Sequence, residues 1–559
     1  MKTEHKKSND AVYATVILRS RTGKSLFDRK KGEKRNTKEF RPHSETFIDA
    51  KNEFEALGFR VVSKGRFSIT ISSTQEKFEE FFNVKLTQEE HPVFAGRDKP
   101  TAKYYVTKDE IKIPEEIKDL VDRITLPKPA KFFESASAPN PEYHCLYLPE
   151  DISVLMRGSP PHAHGRTGNE IHVVMVDSGF YQHKYYDDKG YSISVETVDD
   201  TWDTGADEYG HGTGIAANLL AVAPDIDFTM VKMSAGGSLY TLDGFDKAVD
   251  LKPDIITCSW GWDAAYGPDA TLETAIEDAV DDGIVVIFAC GNGGSISCPS
   301  DMPEVISVGG AYIDETLTNW EAASYASSGT SPNYANRDVP DVCGIVGHAP
   351  HGILIVMPTE PDCIYDNSFG GGVFPNGDET EPDDGWLVAS GTSSAAPMVA
   401  GVVALMLEKN PDLSPEVVKT ILQLTARDIT QGTSASGHNA ANGVDLATGY
   451  GLVDGAEALE ACFIATAAYG SKLVPEVQML RSIRDSWLQI SGVGKHLIWK
   501  AEEIYYRRSP ILAKIMRKNP KLKSLLKWVL VAPIVKCLRL STKFTIKLNS
   551  QNHKKRGDY

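Results

Sequence analysis

Four continuous apolar runs dominate the middle of the chain. Ile171-His-Val-Val-Met-Val, Ile255-Ile-Thr-Cys, Ile284-Val-Val-Ile-Phe-Ala and Val305-Ile-Ser-Val do not alternate, the pattern of strands buried on both faces of a parallel sheet. Helical periodicity over residues 272–281 and 399–409 lies between or after them, so residues 150–461 read as an α/β sandwich with the sheet in the middle. The N-terminal pattern differs: strand 11–19, a basic loop, helix 45–57, strands 59–63 and 67–72, helix 75–82 and strand 83–86. Alternation in Phe67-Ser-Ile-Thr-Ile-Ser predicts a half-buried strand, and Thr74 before Gln75-Glu-Lys is an N-cap signal. This βαββαβ order is the ferredoxin-like, split-βαβ arrangement, against the plainer reading of a generic small domain. Beyond Cys462 the pattern turns helical again, over 473–484, 495–507, 512–517 and 522–540, with Gly and Pro interruptions. The organisation expected is therefore 1–130, a Pro/Ser/Ala linker over 131–160, the sandwich over 161–461 and a basic helical module over 462–559.

A length of 559 residues accommodates that many domains, and the ordinary composition excludes a wholly disordered or collagen-like chain. The net charge of −17 sharpens the division. Residues 1–130 hold 27 basic and 21 acidic side chains, a net +6; residues 131–461 hold 12 and 50, a net −38; residues 462–559 hold 20 and 5, a net +15. No basic start followed by an apolar core and a small-residue cleavage site is visible, so a cytoplasmic location is the expectation, with peripheral membrane attachment or non-classical export left open. Eight cysteines without CxxC or zinc-type spacing are expected to be reduced thiols. The apolar stretch 528–535 is far short of the roughly 20 residues of a spanning helix.

Candidate chemistry lies at strand ends and helix starts. Val174-Met-Val-Asp-Ser-Gly ends a strand on Asp177, Tyr209-Gly-His-Gly-Thr-Gly opens a small-residue helix at His211, and Ser393 in Ala389-Ser-Gly-Thr-Ser-Ser-Ala-Ala-Pro begins the helix containing Pro397. A serine hydroxyl is a weak nucleophile and needs an imidazole to take its proton and a carboxylate to hold the imidazole in one tautomer. A helix N-terminus at the serine adds N–H groups for a developing oxyanion, and Asn292 in Phe288-Ala-Cys-Gly-Asn offers a side-chain donor. Each segment alone reads as a turn or a cap; together they make a nucleophilic site.

In this order the segments resemble the subtilisin-like serine proteases, over residues 165–460, with Ala223-Pro, Ser259-Trp-Gly, Val308-Gly-Gly-Ala, Lys409-Asn-Pro-Asp-Leu-Ser and Gly449-Tyr-Gly-Leu-Val-Asp in agreement. The resemblance implies an α/β, subtilisin-like three-layer sandwich with a mostly parallel central sheet. It implies Asp177 as orienter, His211 as general acid and base, Ser393 as nucleophile and Asn292 as oxyanion donor, in a serine endopeptidase that needs no cofactor for chemistry. By the same resemblance Ser259, Trp260 and Gly261 with Ala289 and Gly291 wall the primary specificity pocket and pair with an extended substrate. Three departures stand out: Gly214 replaces the usual second histidine, the loop from Asn292 to Cys298-Pro299 is shorter than in typical members so that the pocket floor is not readable, and a long Gly- and Asp-rich segment, 361–385, precedes the serine.

The sister sedolisins use Glu and Asp where this chain has His211 and Asn292, yet residues 11–126 resemble sedolisin-type prodomains. That implies an N-terminal folding chaperone and intramolecular inhibitor, removed by self-cleavage between about 127 and 160 and docked partly by charge. Family members often carry structural calcium; the acidic loop 362–384 is the candidate here, against a solvated acidic surface, with no ligand set readable and no metal ligand assigned. Cys462-Phe-Ile-Ala-Thr-Ala-Ala-Tyr-Gly-Ser resembles a C-terminal module appended to varied bacterial proteins, whose basic helices either lie on an anionic membrane or pack on the acidic protease. No nucleic acid is expected as a partner. The competing readings are an inactive scaffold that binds peptides or membrane, and a maturation protease dedicated to one peptide.

Overall fold

The computed structural model describes residues 11–27, 37–93, 101–132, 134–135, 144–314, 316, 318–347, 353–372 and 378–460. The helices expected after Cys462 lie outside the described residues. Met1–Leu459 forms one compact unit. Its central sheet runs 193–197, 227–232, 172–177, 255–258, 285–289, 306–313, with every one of these neighbours parallel. The sheet is closed by an antiparallel edge, Trp320–Ala322 against Ala311 to Ile313, while Val342–Ile345 pairs in parallel with the same long strand.

The helix that carries the serine, Thr392–Lys409, lies against the strands at 255–258, 285–289, 306–313 and 342–345 and against the histidine-bearing helix His211–Val222. Both helices are buried almost throughout, as their Ala, Gly and Val content allows close approach. Thr241–Asp250 and Ala270–Asp281 form a second helical layer on the sheet.

The N-terminal region has a four-stranded antiparallel sheet in the order 60–64, 68–74, 11–18, 121–125. Helices Ser44–Ala56 and Gln75–Phe82 pack Phe47, Phe54, Phe78 and Phe82 against Val12, Val16, Ile69, Ile71, Val121 and Ile124. The fourth strand is therefore Val121–Thr125 and not residues 83–86. Asn83 is the left-handed C-cap of its helix, with φ 50°, and the chain instead enters a hairpin, Thr87–Pro92 with Thr101–Val106.

Two further expectations need correction. The strand Ser68–Thr74 is buried on both faces over most of its length, because its polar side, Ser68, Thr70 and Ser72, is covered from outside the N-terminal sheet, where Thr70 Oγ1 donates to Asp243 of the helix Thr241–Asp250. The stretch read as a linker holds regular elements where it is described: Lys131–Phe132, Glu134–Ser135 and His144–Tyr147 are strands, and Glu150–Leu155 and Ser159–Ala163 are helices. Most of its Pro, Ser and Ala run, residues 136–143, lies outside the described residues.

Candidate active site

Asp177 ends the strand His172–Asp177, and its Oδ1 accepts a hydrogen bond from His211 Nδ1 at 2.6 Å; both side chains are buried. The histidine is aimed by local chemistry. Gly210 precedes its helix with φ 81°, where a side chain would run into Thr359 and Cys363. Ser178 Oγ accepts from Gly212 N at 2.8 Å, while Asp207 accepts from both Thr213 N and Thr213 Oγ1, so the first helical turn is capped from two sides.

Ser393 is the second residue of its helix, and its Oγ donates to the Ser259 carbonyl at 3.1 Å. Pro397 lies four residues on and has no N–H to give the Ser393 carbonyl; Ser259 Oγ donates to that carbonyl instead, at 3.0 Å. Asn292 follows the strand Val285–Ala289, and its Oδ1 accepts from Thr392 N at 3.3 Å and Thr392 Oγ1 at 3.2 Å. With Oδ1 held at the serine helix, Nδ2 is the end of the amide turned the other way.

The remaining expected residues divide by role. Trp260 and Gly261 pair in antiparallel fashion with Phe132 and Lys131, so their backbone forms a cleft edge. The indole of Trp260 turns inward, donating to the Val176 carbonyl at 2.7 Å and meeting Phe288 edge-on. Ala289 is fully buried at the end of its strand, and Gly291 N donates to Thr392 Oγ1 at 3.3 Å. A cavity of about 420 Å³ beside Asn292 is lined by Trp262, Asp263, Tyr266, Ile296 and Ser297, with His91, Lys128 and Lys131 from the N-terminal side.

Four residues without an expected role belong to this site. Ser178 and Thr392 lie inside the quoted motifs. The other two are aromatic: the ring of Phe132 lies 4.2 Å from that of His211, and the ring of Tyr365 lies 5.6 Å from it. Tyr365 comes from the long segment before the serine, on the helix Ile364–Phe369; an aromatic in a Gly- and Asp-rich stretch was the available signal.

The thiols nearby are poor competitors for the serine. Burial pushes Cys290 up to about 12, and burial followed by the charge of Asp177 pushes Cys258 well above its ordinary value. Cys258, Cys290, Cys298, Cys343 and Cys363 are all buried and outside any disulfide.

Carboxylates of the acidic loop brace its turns where it is described. Asp366 accepts from Asp362 N, Asp378 from Thr380 N and Val388 N, and Asp384 from Glu381 N and Trp386 N. Among the described residues no group of three or more His, Cys, Asp or Glu side chains is arranged to hold a metal, and no helix is long and apolar enough to cross a membrane.

The subtilase family model matches residues 168–451, which span all four of these positions. The chain belongs to the subtilase family. Its relatives include serine protease AprX of Bacillus subtilis (strain 168), 26% identical over an alignment of 318 residues that covers 50% of this chain and 68% of that protein. Subtilisin Savinase of Lederbergia lenta is 28% identical over 292 residues, 49% of this chain and 91% of that protein. Among solved structures, fervidolysin from Fervidobacterium pennivorans, a keratinolytic enzyme related to subtilisin, superposes with a TM-score of 0.50 at 19% identity, covering 80% of this chain and 61% of that one. That likeness concerns the fold. This subtilase is accordingly a hydrolase of the serine endopeptidase class.

Proposed function

We propose that this subtilase cuts peptide bonds with Ser393 as nucleophile, His211 as general acid and base, Asp177 as its orienter and Asn292 as oxyanion donor, and that it is made as a self-processed precursor. The observation that carries the reading is the buried 2.6 Å hydrogen bond from His211 Nδ1 to Asp177, with the imidazole facing a strand of the chain's own N-terminal side. The bond fixes the tautomer that leaves Nε2 to take the serine proton, and the carboxylate balances the imidazolium that follows. Ser393 Oγ then attacks a carbonyl carbon, the tetrahedral oxyanion draws on Asn292 Nδ2 and the helix N-terminus, and His211 returns the proton to the leaving amine.

Support for the precursor reading comes from the N-terminal region, whose sheet covers the two outer helices of the catalytic part and whose following strand lies along the cleft. A fluorophosphonate probe tests the site. Wild type should be labelled at Ser393 and Ser393→Ala should not; an unlabelled wild type that also fails to hydrolyse peptides would return the chain to the inactive-scaffold reading.

A further inference from the structure

The chain that follows the strand Ile353–Pro358 grips the turn leading into the histidine residue by residue. The Glu360 carboxylate accepts from Asp207 N, Ile364 N donates to the Glu208 carbonyl at 3.0 Å, Tyr365 N to the Tyr209 carbonyl at 3.1 Å, and Thr359 Oγ1 to the Gly210 carbonyl at 3.1 Å. Each of the four residues before His211 is thereby held by Thr359, Glu360, Ile364 or Tyr365. Asp207 passes the hold on, since it accepts from Thr213 N and Thr213 Oγ1 in the first turn of the histidine helix. The same stretch forms the helix Ile364–Phe369, whose Tyr365 is wholly buried, its ring 5.6 Å from the imidazole and 5.2 Å from Phe369. Thr359 N also donates to the Gly385 carbonyl at 2.8 Å, one residue before the strand Trp386–Gly391 that leads into the serine helix.

From these contacts we infer that residues 359–369 are a strap on the catalytic histidine and that Tyr365 is a positioning residue, its ring holding the His211 imidazole at the angle from which Nε2 takes the serine proton. The inference rests on the protease reading above and adds a residue that acts through the histidine. The bond from Nδ1 to Asp177 fixes one point of the imidazole, and the torsion that turns a histidine ring is broad, so the ring can still swing about that bond. A buried aromatic ring anchored by its own backbone to Tyr209 narrows the swing. Misplacing a reacting group by about 1 Å costs on the order of 100-fold in rate, so a small freedom at His211 matters. Phe132 lies nearer, at 4.2 Å, but it comes from the strand Lys131–Phe132, outside the matched residues 168–451, whereas Tyr365 lies within them. What the role requires is a flat ring, which Phe supplies and Leu does not.

The test uses the full chain, with active sites counted by complete fluorophosphonate titration and kcat and KM measured on a fluorogenic peptide. Tyr365→Leu should lower kcat per titrated site by about 10- to 100-fold with KM within about threefold, and Tyr365→Phe should restore it to within about threefold of wild type. A purely structural role would instead reduce the number of titrated sites and leave turnover per site unchanged. Thr359→Val, which loses the donor to the Gly210 carbonyl, should lower kcat per site by about threefold in the same way. Turnover per site of Tyr365→Leu within twofold of wild type, a loss in Tyr365→Phe as large as in Tyr365→Leu, or an effect confined to KM overturns the inference and leaves the protease reading standing. If Tyr365→Leu yields no titrated sites, Thr359→Val decides, and turnover per site equal to wild type overturns the inference. A wild type that neither labels nor hydrolyses the peptide overturns the protease reading itself.

Discussion

Arg66→Met should weaken the hold of the N-terminal region on the catalytic part by about 30-fold in the dissociation constant. Arg66 is 16% exposed and donates to Asp278 at 2.5 Å and to Asp282 at 2.7 Å. Asp278 is wholly buried and also accepts from Arg41 at 2.5 Å and Thr37 Oγ1 at 2.8 Å, while Asp282 is about one-third exposed. Stripping the only partner from a buried charge costs about 3–5 kcal/mol. Here Arg41 and Thr37 remain on Asp278 and water reaches Asp282, so the loss approaches that of one charge-assisted hydrogen bond, about 2 kcal/mol, which converts to that factor of about 30. Methionine keeps much of the apolar stem, so the change reports on charge more than on packing. The assay dilutes the processed complex and follows recovery of peptidase activity to obtain the constant, with kcat of the released enzyme unchanged. The ratio of variant to wild type should fall only modestly between low and moderate salt, since the Asp278 contact is buried while the one-third-exposed Asp282 contact is screened. Constants within threefold of each other would refute the account of docking by these arginines.

Asp177→Asn should keep the fold and lower kcat by about 10⁴-fold with KM within a few-fold, measured on a peptide ester, because the amide favours the wrong imidazole tautomer. The pH response of docking turns on Asp246, whose carboxyl is pushed well above its ordinary value by burial first and then by Asp243 and Asp250, with Arg66 opposing. A value raised in the docked state means that docking takes up a proton, so docking is strongest below the ordinary carboxylate range and weakens as pH rises to the raised value. The N-terminal fragment should therefore leave the processed complex faster at pH 9 than at pH 6 on size-exclusion chromatography, and Asp246→Asn should shrink the difference.

Local chemistry made part of the site legible and three-dimensional closure hid the rest. A left-handed Gly210 before His211 and a proline four residues after Ser393 are visible in sequence because the backbone at these points needs those residue types. The fourth N-terminal strand is hidden in the sequence because residues 83–86 are apolar enough to suggest a strand, while the actual one, Val121–Thr125, follows a hairpin whose Gln-Glu-Glu run carries no apolar signal. Alternation in Ser68–Thr74 reports the core of one region and is silent about a second region covering its polar face. Trp260 shows the same limit: its backbone lines the cleft while its indole belongs to the core. Nothing in the spacing of Phe132 or Tyr365 announces that both rings close on His211.

The acid surplus also acquires a structural reason. The helix Ala270–Asp281 ends with Asp278, Asp281 and the cap Asp282 and has no basic residue in its last turn, so its negative end faces like charge. Carboxylates in that position cost about 0.3–1 kcal/mol each when exposed. Thr241–Asp250 places Asp243 beneath Ser63 and Thr70, and a side chain at Gly65 would run into Asp246. Compensation arrives from the N-terminal region as Lys38, Arg41 and Arg66 at the first helix and hydroxyls at the second. A catalytic part standing alone would meet none of these partners while it folds, so both helices are better satisfied against the N-terminal sheet than by themselves. In the proposed mature enzyme, from which that sheet has left, the same carboxylates can be solvated, which lowers the penalty. Charge placed against local helix preference thus favours assembly with the N-terminal region and still permits its release.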